Sequence, residues 1–238
     1  MAKRIVIYQG KEFEISYEIL NPNQTQSIVF LHGWGSNKEV MKSAFCKILG
    51  EMRHIYIDLP GFGKSPNSEV ISTYDYAHII KLFLQSLPFK VDIIVGHSFG
   101  GKVATLLLPP SLVLLSSAGI VCPKPLSVRV KIIFAKILKR LRISNTFFRS
   151  KDAQGLNSAM YEVFKNVVDE DFTQIFANCT SKTLLLWGSK DKATPPSSAE
   201  KITSLIKGSV LRFLEGDHYF FLSHPKEVER LLLEWSKK

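Results

Sequence analysis

The segment Gly96-His97-Ser98-Phe99-Gly100 places a serine between two glycines, directly after the apolar run 93–95 and before a helix-compatible run. In a G-x-S-x-G turn from strand to helix, the serine backbone is strained and its hydroxyl is exposed at the sheet edge. Glycines are needed there because so sharp a turn leaves no room for neighbouring side chains. We therefore interpret Ser98 as a nucleophile for acyl transfer and His97 as a buried spacer beside it. The alternative is a glycine-rich turn without a catalytic role.

Two further residues, Asp191 and His218, follow apolar runs in the order that this chemistry requires. A serine hydroxyl is a weak nucleophile until a base takes its proton, and a third group has to orient that base. Asp191 follows the run 184–187 and His218 follows the run 210–214, so both are expected at the same sheet edge as Ser98. We predict that one ring nitrogen of His218 removes the serine proton and that the other donates a hydrogen bond to Asp191.

Other assignments of these two roles stay open in the sequence. Asp217 and Glu215 lie close to His218 and are alternative acids, although Asp217 is too near in sequence to face the imidazole ring easily. Asp191 could instead cap a turn or a helix, and His218 could lie in a solvated loop. Because a catalytic triad is defined by its geometry, sequence order cannot decide between these assignments.

Acyl transfer also requires hydrogen-bond donors for the negative charge that develops on the carbonyl oxygen. The backbone N–H of Phe99 is expected to be one donor, because Phe99 follows the nucleophile and begins the helix. The second donor is expected from the loop His32-Gly33-Trp34-Gly35, which follows the apolar run 28–31. The glycines of this loop allow its backbone to turn toward Ser98, and we assign the donor to the N–H of Trp34. The alternative is a loop without this role.

These residues are expected to be positioned by an alternation of apolar runs and amphipathic, helix-length segments. Near-continuous apolar runs are typical of parallel strands that helices cover on both faces. The sequence therefore predicts an α/β fold with an eight-stranded, mostly parallel sheet and helices on both faces. The expected strands are 4–7, 13–17, 28–31, 55–57, 93–95, 112–115, 184–187 and 210–214. The expected helices include 38–49, 74–87, 196–206 and 225–235.

The alternation breaks once, between residues 123 and 177, where no convincing strand pattern occurs. We predict an inserted helical cap at 123–177, between the two parts of one core at 1–122 and 178–238. The net charge of the chain is +10, and nine basic residues lie between 124 and 151 without any acid. Apolar residues repeat at helical spacing among them, which indicates a basic amphipathic helix. Its basic residues include Arg129, Lys136 and Arg140.

This basic segment predicts an acidic partner for the chain. The candidates are an acidic carrier protein, an anionic substrate or an anionic membrane surface, and the alternative is a solvated basic face without a partner. Nucleic acid is not expected, because no recognised binding module accompanies the charge. Three cysteines without a CxxC pair predict neither a disulfide framework nor a zinc site, and no metal or cofactor is expected. The first residues turn polar before a leader's apolar region could form, which favours a cytoplasmic location.

Five motifs occur in the order and spacing of the α/β-hydrolase family, which the chain resembles from its first strand to its last helix. They are HGWG at 32–35, DLPGFGKS at 58–65, GHSFGG at 96–101, WGSKD at 187–191 and GDH at 216–218. The resemblance implies the α/β-hydrolase fold and hydrolysis through an acyl-enzyme on Ser98, with His218 and Asp191 completing the triad. It also implies a structural role for the loop that begins at Asp58.

More narrowly, HGWGSNKEV, DLPGFGKS and the segment HYFFLSHP at 218–225 are similar to the pimeloyl-acyl-carrier-protein methyl ester esterases. In that group a tryptophan tends to precede the serine, where this chain has His97. The meta-cleavage-product hydrolases, which cleave a C–C bond with the same triad, share the broader pattern. We expect a small acyl ester or thioester as the substrate. C–C bond hydrolysis and a non-catalytic binding protein on the same scaffold are the alternatives.

Overall fold

An eight-stranded sheet runs through the computed structural model of the chain, which describes residues 2–121 and 157–237. The strands are β1 (Ala2–Tyr8), β2 (Lys11–Leu20), β3 (Ser27–Leu31), β4 (Arg53–Ile57), β5 (Ile93–His97), β6 (Ser111–Leu115), β7 (Lys182–Gly188) and β8 (Val210–Leu214). Their order across the sheet is β1-β2-β4-β3-β5-β6-β7-β8. Strand β2 pairs antiparallel with β1 and β4, and the five remaining pairs are parallel. The predicted mostly parallel sheet is confirmed.

Helices cover both faces of this sheet, as predicted. They are α1 (Lys38–Phe45), α2 (Thr73–Gln85), α3 (Phe99–Leu107), α4 (Ser158–Val167), α5 (Thr173–Ala177), α6 (Pro196–Leu205), α7 (Phe220–Ser223) and α8 (Pro225–Ser236). Successive strand residues enter opposite cores: Ile94 of β5 packs in the core that contains Val103 of α3, and Val95 packs in the core that contains Phe45 of α1. Burial on both faces explains why the central strands have no polar alternation.

Helix α1 ends earlier than the sequence pattern predicted. The expected helix extends to residue 49, but the observed helix ends at Phe45. Leu49 has a φ of 54°, which lies in the left-handed region and cannot continue a right-handed helix. Its backbone N–H donates over 2.6 Å to Oε1 of Glu229 in α8, a contact with the far end of the chain. Leu49 therefore cannot belong to the helix, and its partner comes from a distant segment that local patterning does not contain.

The described part of the predicted cap, residues 157–177, contains helices α4 and α5 and no strand. Two hydrogen bonds attach it to the core. Asn157 Nδ2 donates to the carbonyl oxygen of Asn67 over 3.1 Å, and the backbone N–H of Phe172 donates to the carbonyl oxygen of Gly119 over 2.8 Å. The rest of the predicted cap lies outside the described residues, so the division into core and cap stays a prediction. Within 2–121 and 157–237, no helix combines the length and apolar character needed to cross a membrane.

A buried ion pair fixes the loop between β3 and α1. Lys38 is the first residue of α1, and its Nζ lies 2.6 Å from Oδ2 of Asp58, with both side chains 1% exposed. Asp58 also accepts the backbone N–H groups of Lys38 over 2.8 Å and of Lys64 over 3.0 Å. Burial alone would raise the pKa of Asp58, but the hydrogen bonds from Lys38 and Lys64 hold it below its ordinary value. The contacts of Asp58 are therefore structural.

Replacing Lys38 by methionine is expected to lower the free energy of unfolding by about 3 to 5 kcal/mol, because the substitution leaves a buried carboxylate without its cation. Lys42→Met is the matched control in the same helix. It removes a partly exposed ion pair with Glu18 and is expected to cost about 1 kcal/mol or less. Urea unfolding of both variants measures the difference, and equal losses would contradict the role assigned to Lys38.

The difference in the free energy of unfolding between the wild type and Lys38→Met should also depend on pH. The lowered pKa of Asp58 means that the pair stabilises the fold above the ordinary carboxyl value of 3.8. That contribution is lost as the pH falls below 3.8 toward the pKa of the folded state. The stability gap between the wild type and Lys38→Met should therefore narrow in acid.

Candidate active site

Ser98 lies at the sharp turn between β5 and α3, with a φ of 51° and a ψ of −114°. The turn is tight, since a Cβ at Gly96 would lie 2.4 Å from the carbonyl oxygen of Gly100. A Cβ at Gly100 would in turn lie 2.5 Å from the carbonyl oxygen of Leu31 in β3. Only glycine fits at these two positions. Backbone strain of this kind at a polar residue indicates a functional site, because the surrounding structure has to maintain it.

His218 and Asp191 contact each other at the carboxyl edge of the sheet, His218 after β8 and Asp191 after β7. The Nδ1–H of His218 donates to Oδ2 of Asp191 over 2.8 Å, and the Asp191 side chain is fully buried. The backbone N–H groups of Ala193 and Thr194 donate to its Oδ1 over 2.8 and 3.0 Å. Burial alone would raise the pKa of Asp191, but the hydrogen bond and charge of His218 lower it to about 2. Asp191 is thus ionised and holds His218 in the tautomer whose Nε2 can accept a proton.

Thr194 belongs to this site, although the sequence pattern did not predict it. Its hydroxyl lies 2.8 Å from Oδ2 of Asp191 and 3.1 Å from the carbonyl oxygen of Ser116, the residue that follows β6. The hydroxyl therefore joins the loop after β7 to the end of β6. The available signal was an aspartate followed by a threonine three residues later, since an aspartate often accepts backbone N–H groups two or three residues ahead of it.

The two alternative acids bind other groups. Oδ1 of Asp217 accepts the backbone N–H of Tyr219 over 2.8 Å. Glu215 forms an exposed ion pair with Lys190 at 2.8 Å. Because Asp191 already occupies Nδ1 of His218, the geometry favours Asp191 as the residue that orients the imidazole.

The loop after β3 passes directly beside the nucleophile. A Cβ at Gly33 would lie 3.2 Å from the Cβ of Ser98. His32 holds this loop, because its Nδ1–H donates to the carbonyl of Gly33 over 2.8 Å and its Nε2 accepts the N–H of Leu59 over 3.0 Å. Burial lowers the pKa of His32 to about 4, so the ring stays neutral and can make both contacts. The loop therefore lies beside Ser98, on the element from which the second oxyanion donor is expected.

A cleft of about 740 Å³ connects Ser98 and His218. Trp34 and Phe99 also line it, so the residues assigned as oxyanion donors lie at the same cleft as Ser98 and His218. The Trp34 ring packs edge-on against Phe99, with centroids 5.4 Å apart, and forms an apolar wall with α4. From α4 and the residue that follows it, the lining includes Phe164, Val167 and Val168. From the loops after β7 and β8 it includes Lys190, Lys192, Thr194, Asp217 and Tyr219.

Lys102 of α3 lines the same cleft, but its charge is already paired. Its side chain is 2% exposed, and its Nζ donates to the carbonyl of Val167 over 2.8 Å and to Oε2 of Glu170 over 2.5 Å. Burial lowers the pKa of Lys102, and Glu170 opposes that shift. Lys102 therefore holds the end of α4 against the nucleophile helix. The predicted partner residues Arg129, Lys136 and Arg140 lie outside the described residues, as does the whole basic segment at 124–151.

Neither described range, 2–121 or 157–237, contains a group of three or more His, Cys, Asp or Glu residues arranged to hold a metal ion. The site consists instead of a strained serine, an imidazole bound to a buried carboxylate, and a backbone loop beside the serine. A model of the alpha/beta hydrolase family matches residues 28–231 of the chain. The match includes every residue that we assign to the site.

Comparison with known proteins places the chain among hydrolases. The pimeloyl-[acyl-carrier protein] methyl ester esterase of Wigglesworthia glossinidia brevipalpis is 24% identical, over 89% of this chain and 94% of that protein. The biotin biosynthesis bifunctional protein BioHC of Teredinibacter turnerae is 40% identical over 96 residues, which are 38% of this chain and only 16% of that protein. A meta-cleavage product hydrolase from Pseudomonas fluorescens IP01 has the same fold, with a TM-score of 0.73 at 18% identity over 98% of this chain and 97% of the other.

Proposed function

The chain belongs to the alpha/beta hydrolase family, and we propose that it hydrolyses a carboxylic ester or thioester through Ser98, His218 and Asp191. One observation carries the proposal. The 2.8 Å contact of His218 with the buried Asp191 lies at the cleft that also contains Ser98 in its strained conformation. This arrangement supports the assignment of a nucleophile, a base and an orienting acid for acyl transfer.

In the first half of the reaction, Nε2 of His218 takes the proton of the Ser98 hydroxyl while the serine oxygen attacks the carbonyl carbon. The backbone N–H groups of Phe99 and Trp34 donate to the oxyanion that forms. His218 then gives its proton to the leaving alcohol or thiol, and an acyl group remains on Ser98. Asp191 stays ionised throughout and stabilises the imidazolium.

In the second half, a water molecule replaces the leaving group. His218 takes a proton from the water, and the hydroxide attacks the acyl carbon of the acyl-enzyme. The second oxyanion is bound by the same two N–H groups, and its collapse returns the proton to Ser98 and releases a carboxylic acid. The reaction consumes one water molecule and restores the enzyme.

The lining of the cleft supports a substrate whose acyl part is joined to a charged group or a carrier. The apolar wall of Trp34 and α4 suits an acyl chain, whereas Lys190 and Lys192 lie on the loop after β7. One relative is named as an esterase of the methyl ester of a pimeloyl group on acyl-carrier protein. On that likeness we propose an acidic carrier protein as partner, met by the basic segment with Arg129, Lys136 and Arg140. An anionic membrane surface is the alternative partner.

Turnover of a panel of p-nitrophenyl esters, from acetate to palmitate, tests the proposed reaction. We expect ester hydrolysis with a preference for one range of chain length, because the wall formed by Trp34 and α4 limits the space for the acyl chain. A 2-hydroxy-6-oxo-dienoate is assayed beside the esters, since the fold is shared with a meta-cleavage product hydrolase. Turnover of the dienoate without turnover of any ester would overturn the proposal.

A further inference from the structure

His97 lies between the two loops that the proposed mechanism uses. It is the last residue of β5 and is 1% exposed. On one side, a Cβ at Gly33 would lie 3.0 Å from Nδ1 of His97, so the imidazole touches the loop after β3. On the other side, its Nε2 lies 3.0 Å from the carbonyl oxygen of His218, and the two imidazole rings are 4.6 Å apart between centroids. The imidazole of His97 takes part in none of the proposed chemical steps.

The contact with the His218 carbonyl settles which nitrogen of His97 carries the proton. A carbonyl oxygen can only accept, so Nε2 of His97 is protonated and donates. Burial, and then the neighbouring His218, lower the pKa of His97 to about 3, so the ring is neutral. The titratable groups around it are His218 and Tyr219 after β8, Asp191 after β7 and His32 at the end of β3.

The same tautomer leaves Nδ1 of His97 as a bare acceptor. This atom is buried and has no hydrogen-bond partner among the residues that the structure describes. A buried polar atom without a partner carries a desolvation cost that an apolar side chain of similar size would avoid. Filling space beside Gly33 therefore does not explain a histidine here. The donor on Nε2 does, because an apolar side chain cannot hold the carbonyl of His218.

We infer that His97 is a positioning residue, whose Nε2–H fixes the backbone of His218 and thereby the base that acts on Ser98. The inference rests on the proposed function. His218 lies in a turn outside helix and strand, so its backbone needs a tether to keep the imidazole between Asp191 and Ser98. Misplacement of a catalytic group by about 1 Å can cost roughly 100-fold in rate.

Two substitutions with side chains of similar length separate the effect of the hydrogen-bond donor from the effect of side-chain size at position 97. His97→Gln keeps an N–H donor near the position of Nε2, and His97→Met has a similar size without a donor. We expect His97→Met to lower kcat for the preferred p-nitrophenyl ester roughly 10- to 100-fold with little change in KM, and His97→Gln to stay within about threefold of the wild type. His78→Met, on the exposed surface of α2, is the control substitution. If His97→Met fails to fold, as judged by its thermal midpoint, His97→Phe takes its place.

Proton NMR of His218 tests the inference without measuring turnover. The downfield proton resonance of the Nδ1–H of His218, bound to Asp191, should broaden or shift in the variant without a donor and persist in His97→Gln. This resonance can be followed even in a protein without esterase activity, so a failure of the proposed function is distinguishable from a failure of this inference. Wild-type kcat and resonance in His97→Met, or equal losses in His97→Gln and His97→Met, would overturn the positioning role.

Discussion

Ser98→Ala is expected to lower kcat for p-nitrophenyl esters by about 10⁶-fold, the size of the loss when a triad serine is removed. The substitution deletes the oxygen that attacks the carbonyl carbon and forms the acyl-enzyme. It leaves the backbone at φ 51° in place, because alanine and serine differ there only by the hydroxyl. Stopped assays on the purified variant, with the background rate in buffer subtracted, measure the effect.

The matched control is Ser204→Ala on α6, where an exposed serine hydroxyl donates to the carbonyl of Lys201. Its activity should equal that of the wild type, and both variants should unfold at the temperature of the wild type. Retention of more than about one hundredth of the wild-type rate in folded Ser98→Ala would exclude Ser98 as the nucleophile, because triad serines contribute far more than that.

Asp191→Asn is expected to lower kcat by about 10⁴-fold with little change in KM. An asparagine can present an N–H to Nδ1 of His218, which favours the tautomer with the proton on Nε2 and removes the base. Because the pKa of Asp191 is about 2, the wild-type carboxylate is ionised wherever the protein is folded and active. The loss in Asp191→Asn should therefore be present across the whole pH profile of the enzyme.

Asp217→Asn and Glu215→Gln test the alternative acids under the same assay. Both are expected to change kcat by less than about tenfold, since neither side chain binds Nδ1 of His218 and exposed carboxylates contribute little. A large loss in Asp217→Asn beside a small loss in Asp191→Asn would show that the acid has been assigned wrongly.

The positions of Ser98, Asp191 and His218 could be predicted because each lies three or four residues past the end of an apolar run. The carboxyl ends of parallel strands share one edge of a sheet, so three residues distant in sequence were expected at one place. In the structure they lie after β5, β7 and β8. These strands are parallel, and β6 lies between β5 and β7 in the sheet. The fold and this edge therefore follow from periodicity and chain order.

The contacts that refine the site could not be predicted in this way, because they join segments that no local pattern relates. The hydroxyl of Thr194 contacts the end of β6, Lys102 binds Glu170 between α4 and α5, and Nε2 of His97 donates to the carbonyl of His218. Leu49, where the predicted first helix would have ended, likewise takes its hydrogen-bond partner from α8. Each is a tertiary contact between residues far apart in sequence.

Labelling with a fluorophosphonate tests the central claim most directly, because the reagent forms a covalent bond only with a serine that a neighbouring base has activated. Intact mass and peptide mapping read the stoichiometry and the position of the adduct. The account predicts one adduct per chain, on the peptide that contains Ser98, with esterase activity lost in proportion and no adduct in Ser98→Ala. An unlabelled, folded protein, or an adduct on another serine that accounts for the loss of activity, would contradict it.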